Sequence, residues 1–535
     1  MTRTHNSLLN LITGTVSTGL VILLNFIVRS VFIRYLGDSF LGIEGLFTNI
    51  LSMLSLAELG FGSAIVFRLY KPIEENDRPR IKVLMKLYRR TYFVIGWVVV
   101  ILGVCLIPFL PWIVRDYDTL APLGLNASVV FLLYLFNSAA SYWFFAYKSA
   151  FVQATQKTYL LTVMSYAVSI VCCLAQIGVL ILTRNFILYV VVSILFVLVK
   201  NLLYARICDK RHPYLREPTE ERISKEEVKE FFKDCSALFL YRVSNVVIGG
   251  SDSIVLSSML GLRAVAVYTN IYGTIRLNLQ NLLYNFISAI QASLGSIYST
   301  GNLDWSRLIF RVVNFCTVWL FGVGAIGIAI LSNDFITLWV GRSFVVTSWT
   351  TANGVNIATP VALLAGIETF VTGQKYYCGS FRNAMGLFQQ LKYRPVLSVI
   401  VNLFFSITLV PYLGIASCLV STIIAALTVN LIVDPLIIYK HALKQSPKGY
   451  FARNIFYKIV VIAAGILSWW LCKLAAVGGI LGFLIHGVIC VTVPSAIFVL
   501  LFWRTTEFRF LINTAKSLLP GRLRPSGPDT AEEEK

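Results

Sequence analysis

The sequence predicts an all-α polytopic membrane protein of about fourteen transmembrane helices. Three observations carry that expectation. Of the 535 residues, 57% are hydrophobic and only 13% are charged, whereas a soluble domain carries about 25% charged residues; the mean hydropathy is +0.74. Apolar runs long enough to cross a bilayer recur along the chain, and the basic residues between them alternate in density. A soluble globular enzyme is excluded, because it would need far more polar surface.

A bilayer core takes about 20 apolar residues in helical form. Such runs lie at Leu11–Ile33, Leu41–Arg68, Thr91–Val114, Ala127–Tyr147, Tyr159–Leu182 and Phe186–Ala205. Six more follow at Ser236–Leu260, Ala264–Ile297, Leu308–Leu331, Thr351–Val371, Val396–Val410 and Gly414–Tyr439. The last two are Ile455–Cys472 and Gly479–Trp503. With the N-terminus inside, the inner connections hold thirty Lys and Arg and the outer ones six. Basic residues concentrate on the cytoplasmic side, so both termini are expected there. The net charge of +20 is then a mark of topology, and no nucleic-acid partner is expected. The ten Cys have no metal-ligand spacing and read as small core hydrophobes.

The connections are short, and no folded domain is expected outside. Asn126-Ala127-Ser128 matches a glycosylation acceptor but abuts a span. Between spans 6 and 7, Ser224-Lys225-Glu226-Glu227 has the pattern of a helix-capping box. It is expected to start an amphipathic connector. The resulting division is an N-terminal lobe at 1–206 (spans 1–6), a connector at 207–235 and a C-terminal lobe at 236–440 (spans 7–12). Spans 13 and 14 occupy 441–503, and a cytoplasmic tail occupies 504–535.

The two lobes read as a weak repeat. Tyr35-Leu36-Gly37 followed by Phe47-Thr48-Asn49-Ile50 resembles Met259-Leu260-Gly261 followed by Tyr268-Thr269-Asn270-Ile271, and Trp112 corresponds to Trp339. Six spans per copy give both copies the same orientation, with a pseudo-two-fold along the membrane normal. Parallel repeats of this kind place a substrate site between the halves of a transporter.

The stretch Arg34-Tyr35-Leu36-Gly37 through Leu56-Ala57-Glu58-Leu59-Gly60-Phe61-Gly62-Ser63-Ala64 resembles the start of the bacterial polysaccharide-transporter family. So does Ser251-Asp252-Ser253-Ile254-Val255-Leu256-Ser257-Ser258-Met259-Leu260-Gly261 with Tyr268 after it. This family of oligosaccharide flippases belongs to the multidrug/oligosaccharidyl-lipid/polysaccharide exporter superfamily. The resemblance implies two six-helix lobes rocking between inward- and outward-open states in the bacterial cytoplasmic (inner) membrane. It implies translocation of an undecaprenyl-diphosphate oligosaccharide to the outer leaflet for cell-surface polysaccharide assembly. Its partners would be that lipid-linked glycan, membrane lipids, and a polysaccharide polymerase or glycosyltransferases.

Ionisable groups at membrane depth cost about 2.5–3.5 kcal/mol each, so each asks for a reason. Arg276 lies about 18 Å into span 8, near the midplane. Its donor fork suits phosphate oxygens, and a structural pair with a nearby acid is the other reading. Arg242, on the inner side of span 7, is a first contact for a diphosphate or a snorkelling residue. Arg29 and Asp252 sit at nearly equivalent places in spans 1 and 7; they either form an outer gate or each snorkel outward. Glu58 in span 2 is a candidate for H⁺ or Na⁺ coupling or for pairing with a basic loop residue. In span 8, Asn270, Thr274, Asn278, Asn281, Asn285 and Ser288 trace one helical face, which suits sugar hydroxyls or interhelical bonding. Glu44, Glu368 and Asp434 lie near expected span ends and read as interfacial.

No phosphate-loop, zinc-protease or paired-cysteine motif occurs, so no cofactor is expected beyond a coupling ion, H⁺ or Na⁺. A membrane glycan polymerase or ligase is disfavoured by the short outer loops. A multidrug or cation antiporter of the same fold is the alternative to the flippase. Three arginines within spans favour an anionic substrate over a cationic one.

Overall fold

In the computed structural model, residues 3–55, 61–115, 126–145, 147–155, 158–217, 224–299, 302–351, 354–358, 360–385, 387, 393–475 and 477–518 are described. The architecture is helical, apart from a small antiparallel pair, Ser348–Thr350 with Asn356–Ala358. Among the described residues, nine helices are long and apolar enough to cross a membrane. They are Gly19–Leu36, Arg78–Ile113, Val163–Thr183, Phe186–Arg211, Leu303–Trp339, Arg394–Leu413, Ala416–Leu443, Lys448–Leu474 and Gly479–Phe502. The other expected spans fall on helices that are shorter or more polar: Asp38–Leu54 with Phe61–Glu74, Ala127–Trp143, Lys225–Leu260, Gly273–Ser299 and Val361–Ala384. The chain is a multi-pass membrane protein.

Two of these elements differ from the sequence expectation. The tenth span starts at Val361 rather than Thr351. Pro360 disfavours helix in the residue before it, and Ser348–Thr350 and Asn356–Ala358 form the strand pair instead. The expected connector helix is not separate. Ser224 caps it, its side chain accepting from Glu227 N at 3.1 Å, but the helix then runs without a break to Leu260. The glycosylation-like Asn126 is also a cap, accepting from Ser128 N.

The first turn of this long helix is clasped by the start of helix Arg78–Leu106. Arg80 donates to Glu227 at 2.9 Å, and Lys82 to Glu217 at 2.6 Å. The Arg80 hydrogen bond holds the Glu227 carboxyl below its usual range. A depressed folded-state pKa stabilises above the unfolded value and is lost as pH falls through the folded one. Acidification below the ordinary carboxylate range is therefore expected to loosen this clasp, read as faster proteolysis between 207 and 224; Glu227→Gln is expected to show no such pH step.

Helix surfaces are apolar outward and small or polar inward, as expected where lipid replaces water. On Lys448–Leu474 the large residues Ile455, Ile459, Ile462, Ile466 and Trp470 are exposed, while Asn454, Val461, Ala464 and Ser468 are buried. On Arg394–Leu413 the buried line is Ser398, Asn402 and Ser406. Asn402 donates to Ser421 and Thr422, each at 3.1 Å, which ties this helix to Ala416–Ala425.

The chain divides into two compact units that interleave in sequence. One comprises Met1–Asn278, Phe335–Leu364 and Phe388–Val429; the other comprises Leu279–Asp334, Ala365–Leu387 and Asn430–Lys535. The core of the second unit centres on Phe310, whose ring meets those of Tyr377, Phe381, Tyr439 and Tyr450 within 4.7–5.8 Å.

Candidate functional site

Two sharp corners build the candidate site in the first unit. Gly37 joins Arg3–Leu36 to Asp38–Leu54, and Gly261 joins Lys225–Leu260 to Leu262–Val265. Both glycines have φ of 93°, a region that side chains with a Cβ rarely adopt. Each copy of the repeat thus turns at its shared Leu-Gly landmark.

The corners pack on one another. A Cβ at Gly42 would overlap the Leu262 carbonyl, and one at Gly45 would crowd the Asn270 amide. The matched asparagines of the repeat cross over. Asn49 Nδ2 donates to Ser253 Oγ at 2.6 Å, and Asn270 Nδ2 donates to the Leu41 carbonyl at 2.6 Å. Each side chain bonds the opposite copy, which satisfies groups that lipid could not.

In this structure the partner of Arg29 is Glu44 rather than Asp252. Arg29 Nη1 lies 2.8 Å from Glu44 Oε2, with Tyr189 donating to the other oxygen at 3.4 Å. The reason is local: the two residues lie about 10–12 Å before and after the Gly37 corner, at one depth on adjacent helices. Asp252 is 3% exposed and accepts from the Tyr268 hydroxyl at 2.7 Å. Cys418 adjoins the same carboxylate.

Arg276 is half-buried, with its guanidinium carbon 5.6 Å from the centroid of the Tyr268 ring, within range of a cation–π contact. Tyr268 therefore touches both the acid and the base. It stands in a π-helical stretch, Ala266–Tyr272, a wider turn that is frequent at functional sites. Beyond it the polar face changes character. Asn270 is buried, and Thr274 donates to the Asn270 carbonyl at 2.6 Å. Asn278 is half-buried, and Asn281 and Asn285 are exposed. Arg242 lies on helix Lys225–Leu260, but its side chain is outside the described set, and Glu58 lies outside the described residues altogether.

Three charges in the second unit are buried where the sequence reading differs: Glu368 and Asp434 are not interfacial, and Arg382 was not singled out. Glu368, 6% exposed, accepts from Gln280 Nε2 and from Thr372 Oγ1, both at 2.8 Å. Arg382 and Asp434 are 2% and 1% exposed and approach to 3.8 Å. The available signal was Pro360: starting the helix after it moves Glu368 from a span end to the second turn, with Arg382 about four turns further on the same face.

Comparison with known proteins agrees with this architecture. The sequence profile of a family described as "Polysaccharide biosynthesis protein" matches residues 7–291. An inward-facing multidrug resistance MATE family transporter of the MOP superfamily is similar with a TM-score of 0.55, at 13% identity, covering 79% of this chain and 95% of that one. For a mutant of the Vibrio cholerae MATE transporter VcmN the TM-score is 0.50, at 14% identity, covering 82% and 98%. Curated sequences give no significant match. The class is thereby defined: an all-helical, multi-pass membrane protein with the fold of MOP-superfamily transporters. Within it, the chain belongs to the polysaccharide biosynthesis protein family.

Proposed function

We propose that the protein is a flippase that carries an undecaprenyl-diphosphate oligosaccharide from the cytoplasmic to the outer leaflet by alternating access. The observation that supports this reading best is Arg276. It is a permanently charged group on helix Gly273–Ser299, which carries the polar stripe Asn278, Asn281 and Asn285 on a different face. In the proposal the diphosphate takes the guanidinium fork, and the amides take glycan hydroxyls. The lipid tail stays in the bilayer. Before substrate arrives, the Tyr268 ring, itself hydrogen-bonded to Asp252, lies against the guanidinium, and loading would exchange that contact for phosphate oxygens. The lobes at 1–206 and 236–440 would be the rocking parts, with both termini cytoplasmic and H⁺ or Na⁺ as the coupling ion.

A second reading, cation antiport, draws on the buried carboxylates Asp252 and Glu368. One experiment separates the two. Thermal stabilisation of the purified protein is measured with undecaprenyl diphosphate, with a diphosphate-linked oligosaccharide and with organic cations, for wild type and Arg276→Ala. The flippase reading expects the diphosphate lipids to stabilise wild type and to bind the variant about tenfold or more weakly. Stabilisation by organic cations alone would transfer the assignment to the antiporter and leave Arg276 as a packing residue.

A further inference from the structure

At one end of the second unit, well separated in sequence from Arg276, three arginines line a cavity of about 270 Å³. Arg307 and Arg311 come from the second and third turns of helix Leu303–Trp339, and Arg453 from the start of Lys448–Leu474. Tyr439, Tyr450 and, around the intervening turn, Gln445, Ser446 and Gly449 contribute to the wall, and Asp304 is the acid that lines it.

The three guanidiniums are unequally occupied. Arg307 is committed: Nε and Nη2 donate to the Leu443 carbonyl at 3.0 and 2.8 Å, and Nη1 to Asp304 at 2.8 Å. Arg311 and Arg453 share one carboxylate. Arg453 Nη1 donates to Glu507 Oε1 at 3.1 Å, while Arg311 Nε stands 3.8 Å from the same oxygen. Arg311 Nε is buried without a hydrogen-bond partner. A guanidinium offers five N–H donors, so a single carboxylate leaves the buried Arg311 Nε without an acceptor and the other donors of this half-exposed pair facing solvent or the cavity. An unanswered buried donor is costly.

We propose that Arg311 and Arg453, with Arg307 behind them, form a binding site for a phosphate-bearing ligand. A tetrahedral anion supplies several acceptor oxygens at once, which a carboxylate on one side cannot do. Glu507 holds the pair in the ligand's absence and is displaced or shared when it binds. The level of the cavity fits a lipid headgroup. Trp305 and Trp503 are 40% and 53% exposed nearby in sequence, and tryptophans of this kind settle at the membrane–water interface. Basic pockets between membrane helices are known to hold anionic headgroups. A soluble phosphate has the same chemistry, and the test separates the sources.

The full-length protein is titrated with inorganic pyrophosphate in detergent, and its melting point is compared in nanodiscs of phosphatidylcholine with and without phosphatidylglycerol. Stabilisation in the first arm assigns a soluble phosphate, and stabilisation in the second alone assigns a lipid headgroup. Arg311→Gln/Arg453→Gln is expected to weaken the response about tenfold for each arginine removed. Glu507→Gln, which keeps both arginines and removes the internal competitor, is expected to strengthen it. Arg276→Ala is expected to leave the phosphatidylglycerol response unchanged, and the pyrophosphate response that survives Arg276→Ala is the part assigned to this site, so failure of the substrate reading and failure of this one are distinguishable. No response from wild type or Glu507→Gln in either arm would overturn the proposal. So would a weaker response from Glu507→Gln, or a response that disappears with Arg276.

Discussion

Asp434→Asn is expected to lower stability by about 3–5 kcal/mol, because it strands a buried guanidinium. Arg382 and Asp434 are 2% and 1% exposed, so neither can turn to water. Arg382 Nε and Nη2 also donate to Asn383 Oδ1, at 3.3 and 3.1 Å. The pair joins helix Val361–Ala384 to Leu431–Ile437, one residue along from Phe381 of the Phe310 cluster. Breaking it should therefore loosen the second unit as a whole. Replacing both partners, Arg382→Met with Asp434→Leu, is expected to recover most of the loss, since apolar groups of similar volume carry no desolvation penalty. The measurement is thermal unfolding in detergent, followed by tryptophan fluorescence. A loss below about 1 kcal/mol for Asp434→Asn would mean the pair behaves like a solvated surface ion pair.

The second large effect is expected at Gly42. A Cβ there would overlap the carbonyl of Leu262, which is main chain and cannot rotate aside. Gly42→Val is expected to cost about 1–3 kcal/mol by overpacking and to separate the two corners. The Asn49–Ser253 and Asn270–Leu41 hydrogen bonds depend on that approach. Gly178 has nothing within 4 Å of a built Cβ, so Gly178→Val supplies the control. A cysteine placed at Ser253, fully buried here, in a chain otherwise without cysteine, reports the separation. Its labelling by a thiol reagent should rise in Gly42→Val and stay low in Gly178→Val. Equal labelling in both would show that the corner contact does not close this region.

The sequence expressed the helices well because lipid contact imposes a long, local, one-residue-type signal. The runs at Phe186–Ala205 and Ile455–Cys472 could hardly be anything else. Capping was equally local: Ser224 and Asn126 each act on a backbone N–H two or three residues away. The Leu-Gly landmarks survived because a positive φ restricts the residue directly. What failed was partner choice. Whether Arg29 meets Glu44 or Asp252, and whether Arg382 is a loop residue or half of a buried pair, depends on how helices lie side by side. Spacing within a single helix does not contain that information. The early start assigned to span 10 came from beginning the helix at Thr351, ahead of Asn356–Ala358, which pairs as a strand. The polar face after Asn270 was legible as a stripe, but the burial of Asn270 at its start followed only from Leu41 lying against it.

The unbroken helix from Lys225 to Leu260 has a mechanical consequence. Its 36 residues make a rod of about 54 Å at 1.5 Å per residue. One end is clasped by Arg80, and the other carries Asp252, Ser253 and the Gly261 corner. A connector with its own hinge would absorb movement between the two ends, whereas this rod acts as a lever. Pivoting by about 10° around the clasped end would carry the far end through ~9 Å, several times the length of the hydrogen bonds that hold it. Small rearrangements beside Glu217 and Glu227 are thus geared up to whole-bond displacements at the Tyr268–Asp252 contact, with no chemical messenger passing between them.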